Sequence, residues 1–215
     1  MKYETVLFDL DGTLLDTLED LKDAVNHELA LAGYPQRTLE EVRTFVGNGL
    51  RMLMKRALPQ ECSEEEVTAR TASMRRYYHE HSTHKTKPYA GVVELMERLK
   101  AEDIAVGVVS NKMDEAVKTL CAHFFPGLVE VATGETQGLP RKPESATVEL
   151  TLTKMGKSAA GAVYVGDSEV DVATAKNAGL DCVAVCWGFR PRAVLEEAGA
   201  AVIAATAEEL WQALQ

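Results

Sequence analysis

The 215-residue chain is poor in aromatic residues, at 6%, carries only four cysteines and contains no long uncharged apolar run. The last of these leaves no candidate for a membrane-spanning helix, which needs about 18 or more consecutive apolar residues. Cys62, Cys121, Cys182 and Cys186 lack metal-ligand spacing such as C-x-x-C, and a chain of this size does not need disulfide staples. Reduced thiols in packed positions are expected. Basic residues are also scarce, with 23 Lys and Arg against 33 Asp and Glu and a formal net charge of −10. That acidity argues against nonspecific binding of nucleic acid or of an anionic membrane surface. A phosphate-bearing ligand would need a local positive site. No basic-then-apolar N-terminal signal is present, so a cytoplasmic location is expected.

What the chain does have is an ordinary globular composition, 46% hydrophobic and 26% charged, and a repeating order of elements. Short runs rich in Val and Ile occur at 5–8, 104–109, 128–133, 162–165, 181–185 and 201–204, separated by segments of helical periodicity. Val92, Met96 and Leu99 form one amphipathic stripe; Val117, Leu120, Cys121 and Phe124 form another. This is the pattern of an α/β fold, a Rossmann-like and mostly parallel sheet covered by helices.

Residues 17–87 break the pattern. No convincing strand occurs there, and three capping-box signals, Asp16 to Glu19, Thr38 to Glu41 and Ser63 to Glu66, precede apolar stripes. The stripes are Leu21, Val25, Leu29; Leu50, Leu53, Met54, Ala57, Leu58; and Val67, Thr71, Met74, Tyr78. The expected organisation is therefore a core of residues 1–16 and 88–215 with an all-helical insertion at 17–87. The turn formers at 12–13 and 87–91 would serve as borders.

In open α/β sheets, ligands sit beyond the carboxyl ends of the strands, so the residues after each apolar run are the candidates. They are chemically loaded: Asp9 and Asp11, then Ser110-Asn111-Lys112, then Arg141-Lys142-Pro143, then Gly166-Asp167-Ser168-Glu169-Val170-Asp171. Asp9 and Asp11, two apart in extended chain, share a face. Asp167 and Asp171 bring further negative charge, and the mutual repulsion calls for a divalent cation. An all-oxygen donor set that leaves room for water and a substrate phosphate favours Mg²⁺. Lys142 would neutralise phosphate oxygens while Ser110 and Asn111 donate hydrogen bonds.

DLDGTLLD, VVSNK, RKP and GDSEVD, in this order, resemble the four motifs of the haloacid dehalogenase-like phosphatase superfamily. The resemblance implies that Asp9 is a nucleophile forming an aspartyl-phosphate and that Asp11 is the general acid and base. It implies Mg²⁺ on Asp9, the Asp11 backbone carbonyl and Asp167, with Asp171 acting through a bound water, and a phosphoryl group held by Ser110 and Lys142. The place of the insertion resembles the helical cap of the subgroup that includes phosphoglycolate phosphatases. Within it Gly47-Asn48-Gly49 resembles the specificity loop of phosphoglycolate phosphatase-like members.

The expected activity is Mg²⁺-dependent hydrolysis of a small-molecule phosphate ester, with phosphoglycolate the leading candidate. A pyrophosphatase, a nucleotidase or a sugar-phosphate phosphatase would use the same core. A noncatalytic phosphate-binding protein is disfavoured, because Asp9, Asp11, Lys142 and Asp167 are all present. Neither nucleic acid nor membrane is expected as a partner, and the oligomeric state is not readable. Several residues stay open at this level: Asp16 as a helix cap, Lys112 as an orienter of acids or a solvated charge, and 187–190 as site rim or packing. The histidines His79, His81 and His84 do not share one helix face and are expected to be ordinary surface and packing residues.

Overall fold

The computed structural model describes residues 2–215, and in it the first strand, β1 (Thr5–Phe8), is buried at every position, as a strand covered on both faces must be. The two-residue β2 (Leu15–Asp16) leads into four helices, α1 (Leu18–Leu31), α2 (Leu39–Phe45), α3 (Gly49–Ala57) and α4 (Glu64–His81), and the two-residue β3 (Lys87–Pro88) follows them. Helix and strand then alternate through α5 (Val92–Ala101), β4 (Ala105–Met113), α6 (Asp114–Phe124), β5 (Val131–Glu135), α7 (Ala146–Met155) and β6 (Ala162–Gly166). The chain closes with α8 (Glu169–Asn177), β7 (Asp181–Val185), α9 (Arg192–Glu197), β8 (Val202–Ala204) and α10 (Ala207–Leu214). Two compact units result, one of residues up to Leu15 together with Pro88–Gln215, the other Asp16–Lys87. Among the described residues no helix is long and apolar enough to cross a membrane.

The first unit is an α/β, Rossmann-like fold. Its sheet runs β5-β4-β1-β6-β7-β8 with every pair parallel. From β1 the strand order proceeds one way to β4 and β5 and then returns to β6 on the other side, so the carboxyl ends of β4, β1 and β6 meet at a topological switch point. Alternation along the strands sends Val6 and Phe8, Val106 and Val108, and Val163 and Val165 to one face, where Leu95, Leu120 and Leu210 of α5, α6 and α10 cover them. Leu7, Val109 and Tyr164 take the other face under Val148 and Leu152 of α7 and Ala175 of α8. Two details differ from expectation. The strand sought at 128–133 starts at Val131, because Leu128 N–H is still turned back to the Phe125 carbonyl at 3.1 Å. Phe124, at the end of its stripe, is only partly buried.

In the second unit α4 packs on α1 and α3, and α2 contacts both α1 and α3. The stripes explain this: Leu21, Val25 and Leu29, then Leu53, Met54 and Ala57, then Val67, Thr71, Met74 and Tyr78 are all buried. Leu50 is only half buried. The box at α2 is complete, with Thr38 Oγ1 accepting from Glu41 N–H at 3.2 Å and Glu41 Oε2 accepting from Thr38 N–H at 2.8 Å. At α4 Ser63 Oγ accepts from Glu66 N–H at 3.1 Å, while the Glu66 carboxylate takes the Tyr34 hydroxyl at 3.3 Å and Arg70 at 3.7 Å. The box at Asp16 does not form. Asp16 still belongs to β2, so α1 starts after Thr17, and Asp16 Oδ1 accepts instead from Leu18 N–H at 3.3 Å.

His79 is exposed, and His81 stacks on Tyr77 at 4.0 Å rather than following Met74 and Tyr78. Tyr77 in turn stacks on His27 of α1 at 4.1 Å, so the aromatic row docks α4 on α1. His84 meets His81 edge-on at 4.9 Å.

One buried acid holds the end of this unit together. Asp20, on the first turn of α1 and 3% exposed, accepts from the Lys85 and Thr86 N–H groups at 3.1 and 2.8 Å and from the Thr86 hydroxyl at 2.8 Å. Replacement by Ala strands those donors in a dry site. Asp20→Ala is expected to lower the unfolding free energy by about 2–3 kcal/mol, measured by urea denaturation, with Asp20→Asn falling between it and the parent.

Candidate active site

The change from Phe8 to Asp9 is where β1 leaves the core. Asp9 N–H still donates to the Val165 carbonyl at 2.9 Å, so the sheet fixes the backbone from which this carboxylate projects. Gly12 then adopts a left-handed φ of +90°, and a Cβ there would overlap the Asp167 carboxylate, so the turn requires glycine. Leu14 and Leu15 N–H close the turn on the Leu10 carbonyl, each at 3.0 Å. From the neighbouring strand, β6 delivers Asp167 directly after Gly166, and the first turn of α8 delivers Asp171. Carboxylate oxygens of Asp9, Asp167 and Asp171 lie within 4.8 Å of one another, and all three residues are buried.

Two buried lysines meet these acids. Lys142 Nζ is 2.9 Å from Asp9 Oδ1 and 2.8 Å from Asp171 Oδ1, and it donates to the Tyr164 hydroxyl at 3.0 Å. Lys112 Nζ donates to both Asp11 oxygens, at 2.8 and 3.1 Å. Asp11 thus pairs with a different lysine from Asp9 and Asp171. Ser110 and Lys112 are two apart on the extension of β4 and both are buried, whereas Asn111 between them is half buried.

Asn111, expected as a phosphate donor, is instead committed to the Lys142 backbone: its Oδ1 accepts from Lys142 N–H at 2.9 Å and its Nδ2 donates to the Lys142 carbonyl at 3.1 Å. Alternation along the strand turns it away from the Ser110 side. The Ser110 oxygen accepts from Lys112 N–H at 3.2 Å, which leaves its own O–H as a donor.

Several partners of the site carried no clear sequence signal. Asp167 accepts from Thr13 Oγ1 at 3.1 Å and from Phe189 N–H at 2.7 Å. Trp187 Nε1 donates to the Thr13 carbonyl at 3.0 Å, fixing the 187–190 segment against the Gly12 turn. Gly188 is pressed between the Gly12 carbonyl and the Asp167 side chain, with no room for a Cβ. Asp171 Oδ2 accepts from Ser168 N–H at 3.1 Å and from Ser168 Oγ at 2.5 Å, an anchor at the start of α8. Tyr164 OH also donates to Asp171 Oδ1 at 3.2 Å. The only hint of Tyr164 was a polar tip inside an otherwise apolar strand.

Burial, foremost, pushes the Asp9 carboxyl up to about 7, against the Lys142 ammonium and with the Asp171 and Asp11 charges. Burial, then the Asp171 and Asp9 charges, raises Asp167 well above the carboxylate range despite the opposing Phe189 N–H and Thr13 hydroxyl. Burial works against a charged Lys142, yet the Asp171 and Asp9 carboxylates outweigh it and hold the ammonium well above its ordinary value. Three carboxylates and one ammonium leave a deficit of two positive charges in a cluster of hard oxygen donors. A divalent oxygen-seeking cation fits that deficit.

The helical unit contains the 47–49 segment. Gly47 and Gly49 have φ of +122° and +79°, and Arg56 pins the turn by donating to the Phe45 carbonyl at 2.6 Å and to Asn48 Oδ1 at 2.8 Å. Nearby, Arg51 and Lys55 both pair with Glu64.

A doubly wound sheet with acids and lysines gathered at its switch point places this unit among the α/β proteins whose sites lie at the carboxyl ends of the strands. Residues 6–185 match the haloacid dehalogenase-like hydrolase family, and the chain belongs to it. Phosphoglycolate phosphatase 1 of Pseudomonas aeruginosa is 36% identical over 208 residues, covering 92% of this chain and 75% of the relative. The phosphoglycolate phosphatase of Aquifex aeolicus is 31% identical over 185 residues, 86% of this chain and 85% of the relative. A crystal structure of a candidate phosphoglycolate phosphatase from Lactobacillus delbrueckii subsp. bulgaricus superposes with a TM-score of 0.95 at 35% identity, covering 100% of this chain and 99% of the other.

The packing around Gly188 yields a test of how tightly the site is built. Gly188→Ala must displace the Gly12 carbonyl or the Asp167 side chain and is expected to cost about 1–3 kcal/mol of stability, read as a lowered thermal midpoint.

Proposed function

We propose that this protein is a Mg²⁺-dependent phosphatase that hydrolyses a small phosphomonoester through an aspartyl-phosphate on Asp9, with phosphoglycolate the substrate best supported by its relatives. The observation that carries the reading is Lys142 Nζ, seated 2.9 Å from Asp9 Oδ1 among buried carboxylates at the carboxyl edge of the sheet. An ammonium beside a buried, sheet-anchored carboxylate suits a reaction in which that carboxylate meets an anion.

In the proposed sequence an Asp9 oxygen attacks phosphorus. The ester P–O bond breaks, and the leaving oxygen keeps the bonding electrons and takes a proton from the Asp11 carboxyl. Water then attacks phosphorus and passes a proton to Asp11, the bond to Asp9 breaks, and phosphate leaves with the Asp9 carboxylate restored. Lys142 and the Ser110 hydroxyl offset and orient the phosphoryl oxygens, and Asn111 sets the Lys142 backbone. Asp9, Asp167 and the Asp11 carbonyl would hold Mg²⁺, with Asp171 behind them. When bound, the ion supplies positive charge for the transferring phosphoryl group.

Substrate choice is assigned to the helical unit, Asp16–Lys87, as a cap with Gly47, Asn48 and Gly49 as its reading loop. The four free thiols of Cys62, Cys121, Cys182 and Cys186 support a cytoplasmic location.

Phosphate release from phosphoglycolate, sugar phosphates, nucleotides and pyrophosphate, with Mg²⁺ or chelator, tests the proposal directly. Activity is expected only with the metal and highest on phosphoglycolate, and Asp9→Asn should remove at least about 10³-fold of it. Full activity in Asp9→Asn would sink the mechanism.

A second expectation concerns pH. Because the folded Asp9 carboxyl keeps its proton to about 7 against an ordinary 3.8, metal-free protein loses stability as pH rises through that interval. A cation that binds the ionised cluster counters the loss. The rise in thermal midpoint on adding Mg²⁺ should be larger at about pH 8 than at about pH 5.

A further inference from the structure

We infer that Lys112 is a positioning residue for Asp11 in the second half of the reaction, when the aspartyl-phosphate is hydrolysed. This rests on the phosphatase reading above and goes beyond it, since it assigns to the two lysines separate steps.

The geometry supports a division of labour. Both lysines are nearly buried, with side chains 4% and 3% exposed for Lys112 and Lys142, but they grip different acids. Lys142 takes Asp9, Asp171 and the Tyr164 hydroxyl; Lys112 takes Asp11 through both oxygens. Asp11 lies just beyond the strand, on the turn after β1, and without a tether its side chain has rotamers that approach or leave the Asp9 carboxylate. Lys112 removes that choice. Its own position is imposed by β4, whose extension keeps Ser110 and Lys112 on one side, and by Lys112 N–H bonding to Ser110 Oγ at 3.2 Å. A carboxylate gripped in this way is oriented to accept a proton. That is the part Asp11 plays when water attacks phosphorus, the P–O bond to Asp9 breaks and the water proton moves to an Asp11 oxygen.

An aryl phosphate separates the two halves, because its leaving group needs no proton and so the first step makes little use of Asp11. Rapid-quench kinetics with p-nitrophenyl phosphate and Mg²⁺ give the burst of nitrophenolate, which is phosphorylation of Asp9, and the steady rate, which is dephosphorylation. In Lys112→Met the burst rate is expected to stay within about twofold of the parent while the steady rate falls about 10–100-fold and phosphoenzyme accumulates. Lys112→Arg, which keeps the charge but moves the donors, should show a smaller loss of the same sense.

Equal losses in both phases would mean that Lys112 only supports the structure, and no loss in either would mean that Asp11 needs no tether. Each result overturns the inference. If Lys112→Met does not fold, the ratio of the two phases in Lys112→Arg decides it by the same criteria. A parent protein that releases no phosphate from any ester with Mg²⁺ overturns the phosphatase reading itself, and the inference with it.

Discussion

Repulsion between carboxylates is the constraint on which the first unit depends. Asp9, Asp167 and Asp171 are gathered within 4.8 Å in a buried position, where each ionised group raises the cost of ionising the next. The protein meets that cost with one ammonium between Asp9 and Asp171, and with backbone and hydroxyl donors. Phe189 N–H and the Thr13 hydroxyl serve Asp167, and Ser168 serves Asp171. Two positive charges are still lacking, a deficit that a divalent oxygen-seeking ion fits. Asp11 is paired with its own lysine, Lys112.

Such crowding is stable only on a rigid base. Asp9 and Asp167 leave from β1 and β6, adjacent parallel strands buried on both faces, so their backbones cannot relax apart without breaking the sheet and two apolar layers. Where the chain must approach itself closely, it uses glycine: Gly12 to turn over Asp167, and Gly188 to let the 187–190 segment lie on that turn. The helical unit is built differently, by apolar stripes on α1, α3 and α4, a row of stacked rings and the buried Asp20.

Much of this was legible in the residue order. Alternating Val-rich runs and helical stripes gave the sheet and its covering helices, and the rule that ligands sit beyond strand ends pointed to Asp9, Asp11, Ser110, Lys142, Asp167 and Asp171. What the residue order did not show has a common cause. Asn111 was assigned by residue type, yet strand alternation turns it onto the Lys142 backbone. Asp16 fits a capping pattern, but a two-residue strand holds it out of the helix. Asp20 looks like any acid on the first turn of a helix, and its partners lie 65 and 66 residues away. Lys112 could not be distinguished from a surface lysine until Asp11, 101 residues distant, was seen beside it.

The sequence by itself determined the chemistry available: which strands end in acids or lysines, where the insertion falls, and the family to which the motifs belong. These follow from local periodicity and spacing, which a linear chain carries explicitly. Only the tertiary structure decided which lysine serves which acid, that Tyr164 and Phe189 donate hydrogen bonds to the buried acids, and that Gly188 must have no side chain. Those choices depend on distances between residues far apart in the chain, and such distances are set by strand order and register.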